Sequence, residues 1–462
     1  MLLLVLAFAF LVAVIASCAI ILYRRPGEGI GLPIVALLSF GYLYLCQPLY
    51  LLWKDALQIY LNNWQIAKAV AIAAVMLAFF VWGWLRGTRH RRVAQAPSVN
   101  WNLRRLWNFG FGTAVFGLLL LCVFVQRSGG FVSAFGAVHG GGLDWANNTA
   151  YLYKSPFWII AGLTMMIVGV GRLRGSVWRR NASVAFIVVL YGYAVLLSSR
   201  SIMFATTATL LVSYPLSKKI RITVAKTAFL WLSAGVAVLL ILGYRNVLHL
   251  GETNAQTPDL SAAMTASVDI DPAEASRRTL GTEFIFHAAV LDTVDARQKY
   301  HLGIPWLYYY TVHLVPRILW PGKPFGFTGP GITGNDITQT TGLLVAYGAA
   351  PGIVADIYKN FGPLSPFFFL MFGWAAGRLY LRAQCPGTPL AICAYVTLCA
   401  LSLNAFAQGF GSILVSYPYA MAPAFLFHWL SRPVRSLPGL APSWSSQRRA
   451  PVFSPFRAER ES

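Results

Sequence analysis

Apolar runs of about 20 residues recur along most of this chain, and a run of that length crosses the hydrocarbon core of a bilayer as one helix. They cover 2–22, 31–53, 66–85, 108–126, 156–171, 182–198, 201–216, 225–244, 363–382, 389–407 and 412–430. The expected fold is therefore an all-α polytopic integral membrane protein with about eleven transmembrane helices. Only Ser198-Ser199-Arg200-Ser201 divides the two short helices of 182–216, and the apolar piece at 343–355 is too short and Gly-rich to span. Composition agrees: 57% of residues are hydrophobic, 11% are charged, and the mean hydropathy is +0.59.

The formal charge of +22 would suit nucleic acid, but its distribution argues otherwise. With the N-terminus outside, the cytoplasmic segments hold 24 of the 37 Lys/Arg and 3 of the 15 Asp/Glu. That is the positive-inside pattern, so the expected topology is N-terminus periplasmic and C-terminus cytoplasmic. The basic loops orient the chain and meet anionic lipid; nucleic acid is not an expected partner. The basic flank follows the first apolar run instead of preceding it, which reads as an uncleaved first helix. All six cysteines fall in helices or at cytoplasmic edges, so no disulfide framework or CxxC zinc site is expected, and they read as small buried hydrophobes.

Hydropathy divides the chain into an eight-helix membrane region (1–244), a polar stretch (245–362), three further helices (363–430) and a Pro/Ser/Arg-rich cytoplasmic tail (431–462) that reads as disordered. There is no internal repeat of the kind many transporters carry. The stretch 245–342 holds nine of the fifteen acidic residues, which places any chemistry on the outer face near it. Within it, 274–299 reads as an amphipathic helix. The aromatic run 304–320 belongs at the lipid headgroups, and 335–362 reads as a re-entrant segment lining a polar cavity. A shorter outer loop, 127–155, combines Gly, Trp145, Asp144, Asn147 and Asn148, a composition suited to sugar contact or to a flexible connector.

Several residues there can carry chemistry. Arg200 stands at the outer end of two apolar segments, where an arginine is costly unless paired or snorkelling; Arg245 ends the eighth helix in a similar way. Pro316-Arg317-Ile318-Leu319-Trp320-Pro321-Gly322-Lys323-Pro324 sets two cations in a proline-stiffened frame, a fork and a point charge suited to phosphate oxygens. Asp356 precedes the ninth helix, where a carboxylate partly removed from water becomes a base unless a cation such as Lys359 pairs with it. Other patterns carry less. The Asp269-Ile270-Asp271 pair resembles a metal-holding DxD but arises easily by chance in a Pro-flanked loop. Glu283 and His287 share a helix face without a second histidine, so packing outweighs zinc. His301 and His313 could act as general bases or be interfacial polar residues, and nothing in the sequence separates the two readings. No Walker motif, GxSxG or GxGxxG stands in the required context, which excludes ATP hydrolysis and Rossmann chemistry.

The order of these pieces resembles the Wzy-type oligosaccharide repeat unit polymerases. The resemblance rests on Ser199-Arg200, on Pro316-Arg317 with Pro321-Gly322-Lys323-Pro324, and on Ala355-Asp356-Ile357-Tyr358-Lys359-Asn360-Phe361-Gly362. Asp356 and Ala355 depart from the Glu and Gly more usual there. The resemblance implies a GT-C-like, metal-independent and cofactor-free glycosyltransferase of the bacterial inner membrane. Such an enzyme joins undecaprenyl-diphosphate-linked oligosaccharides at the periplasmic face into O-antigen or a related polysaccharide, sometimes with a chain-length regulator as partner. It assigns Arg200, Arg317 and Asp356 to catalysis, and Lys323, Arg245, Tyr358 and Asn360 to substrate binding. An O-antigen ligase would share architecture and substrate. A flippase or transporter would need repeats and charges inside the helices.

Overall fold

The structure is a computed structural model. It describes residues 1–24, 31–53, 57–58, 60–89, 102–130, 152–172, 177–196, 199–218, 283–315, 332–343, 350–385 and 388–431, with isolated positions at 134, 220, 226, 229, 232, 233, 320 and 322. Among these residues the regular elements are all helices. In order come α1 (Leu2–Tyr23), α2 (Leu32–Trp53), α3 (Asn63–Arg89), α4 (Leu103–Arg127), α5 (Pro156–Arg172), α6 (Val177–Leu196) and α7 (Arg200–Lys218). They are followed by α8 (Glu283–Arg297), α9 (Ile304–Leu314), α10 (Gly334–Thr341), α11 (Gly352–Phe361), α12 (Ser365–Gln384), α13 (Pro389–Gln408) and α14 (Phe410–Leu430).

Among the described residues, seven helical units are long and apolar enough to cross a membrane: α1, α2, α3, α4, the composite Gly352–Gln384, α13 and α14. Outward faces carry large apolar side chains such as Leu2, Val5 and Leu6 on α1 and Phe367, Met371 and Trp374 on α12. Surfaces of that kind belong in lipid. Of the eleven expected spans, seven meet this measure among the described residues. α5 is apolar but has 17 residues, and α6 and α7 form the expected short pair on either side of Ser199. Of 225–244 only four positions are described. The ninth span begins earlier than residue 363, because α11 continues through a 3₁₀ turn, Gly362–Leu364, into α12. The described parts of 335–362 are therefore two helices, α10 and α11.

α8 departs from the amphipathic helix expected over 274–299. Its described part starts at Glu283, and Phe284, Ile285, Phe286, His287, Ala288, Ala289, Val290 and Leu291 are all buried, covering every side of the helix. The reason is tertiary: α2, α3, α10 and α11 surround it. Half of the cysteine expectation also changes. Cys18, Cys393 and Cys399 are buried, whereas Cys46 and Cys122 face outward, where an apolar helix exterior accepts a thiol as readily as a core does.

Close helix contact is bought with glycine. A Cβ on Gly83 would stand 2.0 Å from the Leu370 carbonyl oxygen, and one on Gly373 would stand 2.1 Å from that of Phe80. Gly83 and Gly87 on α3 thus interlock with Gly373 and Gly377 on α12, a doubled small-xxx-small crossing of the kind that holds helices together without a hydrophobic driving force. Gly110 on α4 and Gly162 on α5 make a second crossing of this type. α13 is the most enclosed candidate span, packed by α2, α5, α7, α11, α12 and α14.

Candidate functional site

Asp356 lies on α11 and is 4% exposed, and three different elements converge on its carboxylate. Oδ1 is 2.8 Å from Lys359 Nζ, one turn along the same helix. Oδ2 accepts from Trp306 Nε1 of α9 at 3.0 Å and from the Gly411 backbone N–H of α14 at 3.1 Å. A carboxylate that loses its water needs such charge-assisted bonds, because an unmatched buried charge costs several kcal/mol. Gly409 makes the approach of α14 possible: its φ is +112°, and a Cβ there would stand 3.0 Å from Asp356 Oδ2.

Aromatic rings cover this carboxylate. Trp306 has Phe361, Phe368 and Phe410 around it, with ring centroids 5.0–5.5 Å away. The aromatic run on α9 was expected at the lipid headgroups. Leu307 and Tyr310 do face outward, but Trp306 turns inward and is 8% exposed. Its indole N–H finds its partner in Asp356, as a buried tryptophan requires.

Asn360 and Tyr358 brace the same turn of α11. Asn360, fully buried, donates from Nδ2 to the Asp356 carbonyl at 2.7 Å and accepts from the Gly303 N–H at 3.2 Å. It thereby ties α11 to the start of α9. Tyr358 donates its hydroxyl proton to Asp295 Oδ1 at 2.9 Å, and Asp295 Oδ2 lies 2.6 Å from Lys68 Nζ on α3. Lys68 also reaches Asp292 Oδ1 at 3.5 Å, whose other oxygen accepts from Gln65 at 2.8 Å. The result is one polar layer across α3, α8 and α11, at the ends of α3 and α12 opposite their basic termini.

Two histidines that share this layer differ in role. His287 is fully buried, with Nδ1 3.1 Å from the Tyr44 hydroxyl. Burial drives its pKa down to about 3, against weaker backbone hydrogen bonds that raise it. Its surroundings are those of a packed core side chain. His301 joins the site through its backbone N–H, which donates to the Lys359 carbonyl at 3.3 Å. Partial burial, then the Lys359 and Lys299 cations, hold its pKa below the ordinary value. Its Nε2 is buried without a hydrogen-bond partner among the described residues. The rim of the layer is an ion pair between Arg297 and Asp336. Asp336 also closes a capping box with Thr333 at the start of α10, and those hydrogen bonds hold its carboxyl below the usual range.

The sequence-derived candidates thus fall into two groups. Asp356 and Asn360 are bonded on one turn of α11, and Tyr358 on that turn reaches Asp295 instead. Arg200 begins α7 beside the buried Ser199, with its side chain outside the described part. Arg245, Arg317 and Lys323 lie outside the described residues, as do Asp269 and Asp271, the side chain of His313 and most of 127–155. Trp306, Lys68, Asp292, Asp295 and the Gly409–Gly411 approach are site residues that sequence reasoning missed. Lys68 carried a signal, being an isolated cation inside an apolar helix; Trp306 carried none beyond its aromatic neighbours. Comparison with protein-family models, with curated proteins and with solved structures finds no match.

Proposed function

We propose that this chain is a polymerase of undecaprenyl-diphosphate-linked oligosaccharide repeat units, of the Wzy type, acting without metal at the periplasmic face of the inner membrane. The observation that carries the reading is the Asp356 centre. A buried carboxylate, a lysine and an indole meet at the head of a membrane-spanning helix, with the backbone of His301 tied to the same turn. Supporting it are the resemblance of 355–362 and 316–324 to the family motifs and a charge distribution that favours an outer position for this layer.

In the reaction a sugar hydroxyl of one repeat unit attacks the anomeric carbon of the other chain. The bond from that carbon to the diphosphate oxygen breaks, and the hydroxyl proton passes to the released diphosphate. Arg200, Arg317 and Lys323, with Arg245 assisting, neutralise the departing undecaprenyl diphosphate, a task a fixed cation cluster performs by electrostatic preorganisation. Of the two roles open to Asp356, orienting the acceptor fits its geometry better than abstracting the proton, since both oxygens are already engaged. Tyr358 and Asn360 contact substrate in the resemblance; their bonds to Asp295, Gly303 and Asp356 fit residues that hold the acceptor site in shape.

The test is a gel of surface polysaccharide from a deletion strain complemented with wild type, Arg317→Ala or Asp356→Asn, with membrane levels of each protein measured alongside. Each variant is expected to leave single repeat units on lipid and to shorten or abolish the ladder, a loss on the order of a hundredfold in polymer. Full-length polymer accumulating on its carrier would make the protein a ligase. An unchanged ladder with both variants would end the proposal.

A further inference from the structure

α3 and α12 run parallel. Gly83 faces Leu370, Gly373 faces Phe80 and Trp84, and Gly87 faces Trp374 and Gly377. On the outward side of this crossing lies an open groove of about 310 Å³, lined by Trp82, Gly83, Arg86, Leu370, Met371 and Trp374. Two Trp–Arg pairs, each spaced one helical turn, frame its end. The Arg86 guanidinium carbon is 5.6 Å from the Trp82 ring centroid, and that of Arg378 is 5.6 Å from the Trp374 ring centroid. The two arginines belong to the same patch, for the Arg378 backbone nitrogen lies 3.2 Å from where a Cβ on Gly87 would stand. Among the described residues no carboxylate is ion-paired with either one.

We propose that this groove binds an anionic glycerophospholipid. One acyl chain lies along Gly83, Leu370 and Met371 between the two indoles, and the phosphate bonds Arg86 with Arg378 as the second cation. Three observations select this occupant. The groove is apolar along its floor and cationic at one end only, which is the polarity of a lipid and not of a free phosphate. Arg86 is 18 residues beyond Lys68 on α3, about 27 Å at 1.5 Å per residue. That distance is close to one hydrocarbon thickness, so the arginines stand at the headgroup level opposite the Asp356 layer. Arg89 and Arg382 in the last turns of α3 and α12 add to the positive rim, as basic pockets between spanning helices do for acidic lipids. An apolar helix from a second copy would instead bury two guanidiniums without partners, which is costly. Each cation is already stacked on an indole, an arrangement that orders the guanidinium without consuming its N–H donors. The site stands independently of any polymerase activity.

The experiment is native mass spectrometry of the detergent-purified full chain incubated with phosphatidylglycerol or phosphatidylcholine of identical acyl chains. Wild type is expected to retain phosphatidylglycerol on the order of tenfold more tightly, the equivalent of about 1.4 kcal/mol. The double variant Arg86→Gln/Arg378→Gln is expected to lose that preference. Met371→Trp, which fills the groove and leaves both arginines, is expected to lower retention of both lipids. Equal retention of the two lipids by wild type overturns the proposal. So does full phosphatidylglycerol retention by Met371→Trp, which would reduce the effect to diffuse surface charge. A dimer whose formation Met371→Trp abolishes would assign the groove to a second copy and overturn it equally. Should the arginine variants fail to fold, competition in wild type decides: displacement of phosphatidylglycerol by phosphatidylcholine as readily as the reverse sinks the idea.

Discussion

At Asp356 a single side chain joins three helices that are distant in sequence, and its neighbours show how finely the join is set. Gly409 reaches Asp356 only because it lacks a Cβ and tolerates φ +112°. Gly409→Ala is therefore expected to destabilise the protein by about 1–3 kcal/mol, from strain at positive φ together with overpacking. Gly112→Ala is the matched control: nothing lies within 4 Å of its missing Cβ, and alanine favours a helix interior by about 1 kcal/mol. Thermal midpoints in detergent should fall for the first variant and hold or rise for the second. Equal midpoints would mean that the 409–411 approach relaxes freely. Asp356 itself was legible as a candidate from its place before an apolar run, and its pairing with Lys359 was one of the two readings open. Its bond to Trp306 was not legible, because partners 50 positions apart carry no local record of which indole turns inward.

Elements show the same split between pattern and packing. α8 contains polar residues at positions that suggest one wet face, yet tertiary neighbours enclose most of it, and His287 ends up with no exposed surface. The consequence is a pH dependence. His287 has a folded pKa of about 3 against an ordinary value of 6.5, so the unfolded chain binds the extra proton. Stability is full above about pH 6.5 and falls as the pH drops towards 3, by up to about 1.4 kcal/mol per pH unit from this residue. Tyr44 is its hydrogen-bond partner, and Glu283 lies one turn before it on α8. In a thermal melt series from pH 7.5 to 4.5, wild type should lose midpoint steadily below pH 6.5. His287→Gln, which keeps a polar group towards Tyr44, should start lower and show a flatter profile. Parallel profiles would assign the acid sensitivity to other groups.

Across the whole molecule, polarity is sorted to two levels. The Asp356–Lys68–Asp295 layer occupies one end of α3 and α12, and Arg86, Arg89, Arg378 and Arg382 occupy the other. If the positive-inside reading holds, the first level faces the periplasm. In a cysteine-free background, Lys299→Cys should react with a membrane-impermeant maleimide in cells with a permeabilised outer membrane. Arg89→Cys should react only after lysis. The reverse pattern would invert the topology and place the Asp356 centre beyond reach of periplasmic substrates.

The apolar spans and the basic rim were legible in the sequence alone. Hydropathy and charge act through the solvent, and each residue contributes to them wherever the chain goes. The sequence also marked Asp356, Tyr358 and Asn360 as neighbours, since one helical turn guarantees it. Which surfaces meet was decided only by the tertiary structure: Trp306 and Gly411 on Asp356, Lys68 on Asp295, the interlocked glycines of α3 and α12, and the groove beside them. In lipid the apolar exterior is as comfortable as a core, so burial pattern does not announce which face of a helix will pack. That choice falls to steric fit and to the partnering of a few buried polar groups, and both exist only once distant helices are brought together.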